Sequence, residues 1–149
     1  GAAHDPIIED WFGNLVVDAY AMRLLGHRTL AKARKGMEAA EQSERLTVPE
    51  ICEPSSLKQV LSAWDPNRVL VFCDEAGDAK DAATAFESRN AERWAILTGP
   101  EGGFDPDERE YIRSMTFSLP VTLGPRILRA DTAALAAIAV WQSLRGDWR

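Results

Sequence analysis

One stretch constrains the fold more than any other: Leu97-Thr98-Gly99-Pro100-Glu101-Gly102-Gly103-Phe104-Asp105-Pro106-Asp107-Glu108. Ahead of it, Trp94-Ala95-Ile96-Leu97 is a short apolar run that reads as a buried strand. Behind it, Asp105 has the character of an N-cap, Pro106 of a first helical residue, and Glu108 of the capping-box partner three positions on. Strand, glycine loop and capped helix thus follow one another closely. The glycines leave room for a ligand to press against bare main chain. The amides at the helix start carry partial positive charge. An ordinary tight strand-to-helix turn satisfies the same pattern. A second special loop downstream, Gly124-Pro125-Arg126-Ile127-Leu128-Arg129-Ala130, shifts the weight toward a ligand site.

The rest of the chain supplies more strands and helices in alternation. Residues 1–28 carry apolar clusters without a clean period, and one of them, residues 14–19, is expected as a first strand. From Thr29, Leu30, Ala33, Met37 and Ala40 fall on one helical face, and this helix runs toward Arg45 and stops before Pro49. Ser56 with Gln59 opens a short helix through about Ala63, and Asp65-Pro66-Asn67 is a turn. Val69-Leu70-Val71-Phe72-Cys73 reads as a strand buried on both faces. A loop at 74–78 and a helix from Ala79 to Ser88 follow, then the strand at 94–98 and a helix over 106–115. Residues 117–123 form a further strand in which Pro120 implies an irregular or edge position. Asp131 is expected to cap a last helix, apolar almost all round through Leu135, Ile138, Val140, Trp141 and Leu144, and buried by this chain or by another copy. Strands alternating with helices predict an α/β fold with a mostly parallel sheet flanked by helices.

The totals set limits. At 149 residues the chain is one domain with room for a real core. No apolar run approaches the roughly 18 residues of a membrane span, and Gly1-Ala2-Ala3-His4-Asp5-Pro6 does not resemble a secretory leader. Cys52 and Cys73 are isolated and read as small hydrophobes in a reducing cytoplasm. His4 and His27 lie in no ligand pattern, so no metal is expected. A net charge of −6 gives a nucleic acid little general attraction.

In open α/β sheets ligands bind beyond the carboxyl ends of the strands, which selects the loops at 74–78, 98–104 and 123–130. Glycine with proline suits an adenine or ribose held by main-chain hydrogen bonds; neither the phosphate-binding lysine loop nor the dinucleotide fingerprint occurs. Arg126 and Arg129 flank Ile127-Leu128, and their guanidinium forks suit phosphates or an anionic transition state, or else are simply solvated. Glu101 either positions a substrate amide, accepts a proton, or caps its own loop. Asp105, Asp107, Glu108 and Glu110 are accounted for by the helix dipole. Gln42 and Arg45 belong on pattern alone to a polar helix end.

Three stretches together carry a resemblance: Glu41-Gln42-Ser43-Glu44-Arg45 with Val48-Pro49, the glycine loop with Glu108, and residues 123–133. In this order and spacing they resemble the RsmE family of small-subunit ribosomal RNA uridine-N3 methyltransferases of the SPOUT superfamily, over roughly residues 29–147. Asp131 stands where glutamate is more usual. The resemblance implies a C-terminal trefoil knot, a homodimer with each site near the partner, and S-adenosylmethionine as cofactor. It implies cofactor contacts at Phe72, Cys73, Asp74, Thr98, Gly99, Pro100, Gly102, Gly103, Leu123, Gly124, Ile127, Leu128 and Ala133. Arg126, Arg129 and Glu101 become candidate catalytic residues, and Gln42, Arg45 and Arg126 candidate RNA contacts. Small-subunit ribosomal RNA or the assembled subunit is the implied partner, in the cytoplasm, with no membrane and no metal. The expected organisation is a poorly matched segment at 1–28 and a SPOUT domain at 29–149, without the PUA-type N-terminal domain of the family. Two other readings stand beside it: a non-enzymatic dimeric module that binds the cofactor or the ribosome, and a SPOUT methyltransferase for another RNA.

Overall fold

In a computed structural model of the chain, residues 16–18, 52–76 and 78–148 are described. They form β1 (Val16–Asp18), α1 (Leu57–Ser62), β2 (Arg68–Cys73), β3 (Lys80–Asp81), α2 (Ala82–Glu87), β4 (Arg93–Leu97), α3 (Pro106–Ser114), β5 (Ser118–Thr122) and α4 (Ala130–Leu144). The five strands make one sheet in the order β1-β4-β2-β5-β3, and every pairing is parallel. The α/β fold with a parallel sheet flanked by helices is therefore as the sequence predicts. β1 falls within the strand expected at 14–19. The helix expected from Thr29 to Arg45, with Gln42 and Arg45, lies outside the described residues.

β2 explains the layering. Its run of apolar residues alternates sides, as a strand must. Val69, Val71 and Cys73 pack with Phe86, Trp94, Ile96, Val121 and Trp141 under α2 and α4. Leu70 and Phe72 pack with Leu57, Leu61, Ala95, Leu97, Phe104 and Ile112 under α1 and α3. A strand with no polar face has to be central, and β2 is.

Local chemistry sets the helix starts. Ser56 caps α1 through a reciprocal box with Gln59, and Asp105 caps α3 with Glu108 in the same way, with Pro106 in the first turn. α2 is shorter than expected. Asp81 accepts from the Thr84 amide at 2.9 Å and starts the helix at Ala82, while Lys80 and Asp81 pair with Val121 and Thr122 as β3. The cap of α4 is a correction. The helix begins at Ala130, so the N-cap position is Arg129, and Asp131 already lies in the first turn, accepting from the Thr132 amide at 2.9 Å. Its acid side chain still complements the helix dipole.

Pro120 is not on an edge strand, since β5 lies between β2 and β3. The carbonyls of Phe117 and Val121 accept from Leu70 and Asp74 in the β2 direction, so the Pro120 nitrogen points the other way. There β3 pairs only from Val121 onward, and no ladder bond is lost. α4 buries Ala137 and Trp141 and leaves Leu135 72% exposed, so this chain alone covers one side of it. No helix among the described residues is long and apolar enough to cross a membrane.

Candidate functional site

β4, β2 and β5 are adjacent, so the loops leaving their carboxyl ends are neighbours. They enclose a pocket of about 430 Å³, within the size range of small-molecule sites. The wall after β2 contributes Cys73, Asp74 and Glu75, and the wall after β4 contributes Gly99, Pro100, Glu101 and Gly103. The third wall runs from the end of β5 into α4, with Leu123, Gly124, Arg126, Ile127, Leu128, Arg129 and Ala133.

Most of the residues singled out from the sequence are thus brought together. Three are not. Phe72 points to the α1–α3 side, where its ring meets Phe104 edge-on at 5.0 Å, as strand alternation requires of the residue before Cys73. Thr98 is 1% exposed and sits beneath the loop. Gly102 is at the outer tip of a turn closed by the Gly103 amide on the Pro100 carbonyl at 2.9 Å, and it lines nothing. The pocket also takes in Glu75, Thr122 and Ala130, which the motif reading passed over. Glu75 had a signal: it is the second of two acids at the end of a buried strand. Thr122 looked like strand and Ala130 like spacing.

The β2 wall is locked in two places, to the glycine loop and to α3. Glu75 Oε1 accepts from the Phe104 amide at 3.1 Å, which ties the glycine loop across the pocket. Asp74 has no exposed side-chain surface; it accepts from Arg109 Nε at 3.0 Å, Arg113 Nε at 2.6 Å and the Ala76 amide at 3.1 Å. Its carboxylate is fully engaged, so what Asp74 presents to the pocket is mainly backbone. Asp78 completes the cluster on Arg113, whose hydrogen bond holds the Asp78 carboxyl below its ordinary value. Burial pushes the Cys73 thiol up to about 12, so it stays protonated and unreactive.

The mouth between the β4 and β5 walls is charged and open. Arg129 Nη2 lies 3.6 Å from Glu101 Oε1, while Ile127 stands 82% exposed between the two arginines. Among the described residues Arg126 has no ion-pair partner, and no His, Cys, Asp and Glu cluster could hold a metal. The pocket therefore offers backbone polar groups, two carboxylates and two guanidiniums around one small-molecule space.

Known proteins resemble the chain in sequence and in fold. The RNA methyltransferase domain model matches residues 27–142. The ribosomal RNA small subunit methyltransferase E of Rickettsia conorii is 36% identical over 104 residues, covering 69% of this chain and 42% of that protein. Its Bacillus subtilis counterpart is 33% identical over 119 residues, covering 74% and 46%. The chain spans less than half the length of these relatives. Among solved structures, ribosomal RNA small subunit methyltransferase E from Neisseria gonorrhoeae bound to S-adenosyl methionine superposes with a TM-score of 0.70 at 30% identity, over 83% of this chain and 51% of that one. A Legionella pneumophila protein in complex with the same cofactor gives 0.66 at 25% identity, over 87% and 53%. The three motifs, the parallel sheet and the pocket where its loops meet thus point one way: the chain belongs to the RNA methyltransferase domain family, and is of the RsmE type.

Proposed function

We propose that this chain binds S-adenosylmethionine in the three-loop pocket and directs methyl transfer to N3 of a uridine in small-subunit ribosomal RNA. The observation that carries the reading is the convergence of the loops after β2, β4 and β5 on one space lined by backbone, carboxylates and guanidiniums. The residues fit such a group. Gly103 and Gly124 hold φ at +74° and +121°, which keeps side chains out of the walls. Main chain at 99–103 and 123–128 suits an adenine and ribose, with Ala133 beneath, while Glu75 and Glu101 suit hydroxyls and a cationic sulfur. When bound, the cofactor supplies a methyl group on a sulfonium, already a good leaving group.

What remains for the protein is alignment and charge. Uridine N3 must lose its proton, and the imide charge that develops needs a cation; Arg126 and Arg129 stand at the rim to supply it. Glu101 is the rim carboxylate that can receive a proton or orient the base. The buried, protonated Cys73 does not compete for the methyl group. Gln42 and Arg45 belong to the same reading as RNA contacts. So do a C-terminal knot and a homodimer in which α4, with Leu135 exposed, meets a second copy. The substrate would be ribosomal RNA or the small subunit, in the cytoplasm.

Calorimetric titration with S-adenosylhomocysteine, followed by methyl transfer to small subunits lacking the modification, tests this. The expected results are binding, transfer, and a block to primer extension at one uridine. Arg126→Ala should lower turnover at least about tenfold with little change in cofactor affinity; equal losses refute its transition-state role. The net charge of −6 favours a second reading, a dimeric module that binds the cofactor without transfer. Binding with no transfer to any subunit would establish that one instead.

A further inference from the structure

Arg129 occupies a position where its chemistry is out of place. It is the N-cap of α4, yet it makes no side-chain cap hydrogen bond. That position favours Ser, Thr, Asp and Asn, and Ser56, Asp81 and Asp105 fill it in α1, α2 and α3. A cation there also meets the positive end of the helix dipole. Breaches of local rules gather where function requires them.

The Arg129 side chain instead reaches across to Glu101, Nη2 to Oε1 at 3.6 Å. The two residues belong to facing walls of the pocket. Both are at the mouth, with side chains 80% and 73% exposed. Glu101 rides on the turn whose tip, Gly102, has nothing within 4 Å of where a Cβ would lie, so the space beside that tip is open.

We propose that Glu101 and Arg129 form an electrostatic latch across the pocket mouth that slows release of the bound cofactor, leaving Arg126 as the guanidinium for RNA. The proposal rests on the cofactor reading above. An exposed ion pair is weak, which suits a latch that must open in every turnover. It spans the β4 and β5 loops, so closing it narrows the mouth without altering the walls fixed by Glu75 and Asp74. The partner carboxylate also offsets the unfavourable charge at the helix start.

The test is the dissociation rate of S-adenosylhomocysteine from the whole chain, by stopped-flow competition, for Glu101→Gln, Arg129→Gln and the double variant. Each single change should speed release about two- to fivefold, the range an exposed pair supplies. The double variant should release no faster than the singles, because one interaction is being removed twice. Raising salt should speed release from the parent chain and leave the double variant unmoved. Lys58→Gln, an exposed charge on α1 away from the pocket, should leave release unchanged. Multiplying effects, or release that ignores both charges while melting temperature falls, overturns the latch and reduces the pair to a helix-end contact. Failure of the parent chain to bind S-adenosylhomocysteine at all overturns the cofactor reading beneath it.

Discussion

Gly103 holds φ at +74°, and a Cβ there would lie 2.7 Å from Glu75 Oε1. Both facts oppose any side chain, and the second threatens the Glu75 hydrogen bond to the Phe104 amide. Gly103→Ala should therefore cost about 1–3 kcal/mol in urea unfolding and weaken S-adenosylhomocysteine binding as well; an unchanged midpoint would refute it. Cys73 gives a second residue-scale expectation. Its thiol is raised from 9.0 to about 12 by burial, so the folded chain holds that proton after the unfolded chain has released it. The resulting stability is present below pH 9 and is lost as pH rises toward 12. Ellman's reagent at pH 8 should titrate Cys52, which is exposed, and reach Cys73 only after denaturation.

At the scale of elements, α3 is tied to the β2 loop by Arg109 and Arg113, one turn apart, gripping one buried carboxylate. The two sides of this cluster are unequal, since the arginines are 25% and 30% exposed and the Asp74 side chain 0%. Removing Asp74 leaves cations that can hydrate, whereas removing both arginines strands a charge in the interior. The double Arg109→Ala, Arg113→Ala variant should thus lose about 3–5 kcal/mol, and Asp74→Ala distinctly less, by chemical denaturation. Equal losses would show that packing rather than charge sets the cost. Asp78 adds a pH dependence. Its carboxyl is held below 3.8 by Arg113, so the folded state takes up the proton later than the unfolded state as pH falls. Its stabilising contribution is present above pH 3.8 and disappears below it, and Asp78→Asn should flatten that limb of the melting-temperature profile.

Across the whole molecule, β2 carries the architecture, flanked by β4 and β5 with apolar residues on both faces. Phe72, fully buried against Phe104, should cost about 3–5 kcal/mol when cut to alanine, and the loss should appear in urea melts without a change in pocket residues. Much of this plan was legible. The apolar run 69–73 announced a central strand, and Asp105-Pro106 with Glu108 announced the start of α3. α4 starts two residues before the point Asp131 suggests, because an acid near a helix end looks like a cap, while the N-cap is Arg129 and the helix begins at Ala130. The bond Glu75 makes is not legible within its own loop, because its partner, Phe104, is 29 residues away.

What the sequence determined by itself is whatever closes within a few residues: caps, the glycine turn, strand alternation and the motifs of the two special loops. These are settled by bonds between near neighbours and by the φ each residue tolerates. Only the tertiary structure decided which strands pair, and hence that three loops share one pocket. It alone joined Asp74 to arginines 35 and 39 residues on, and Glu101 to Arg129 across the mouth. Such contacts depend on strand order, which is chosen by the burial of both faces of β2 at once and cannot be read from any single segment.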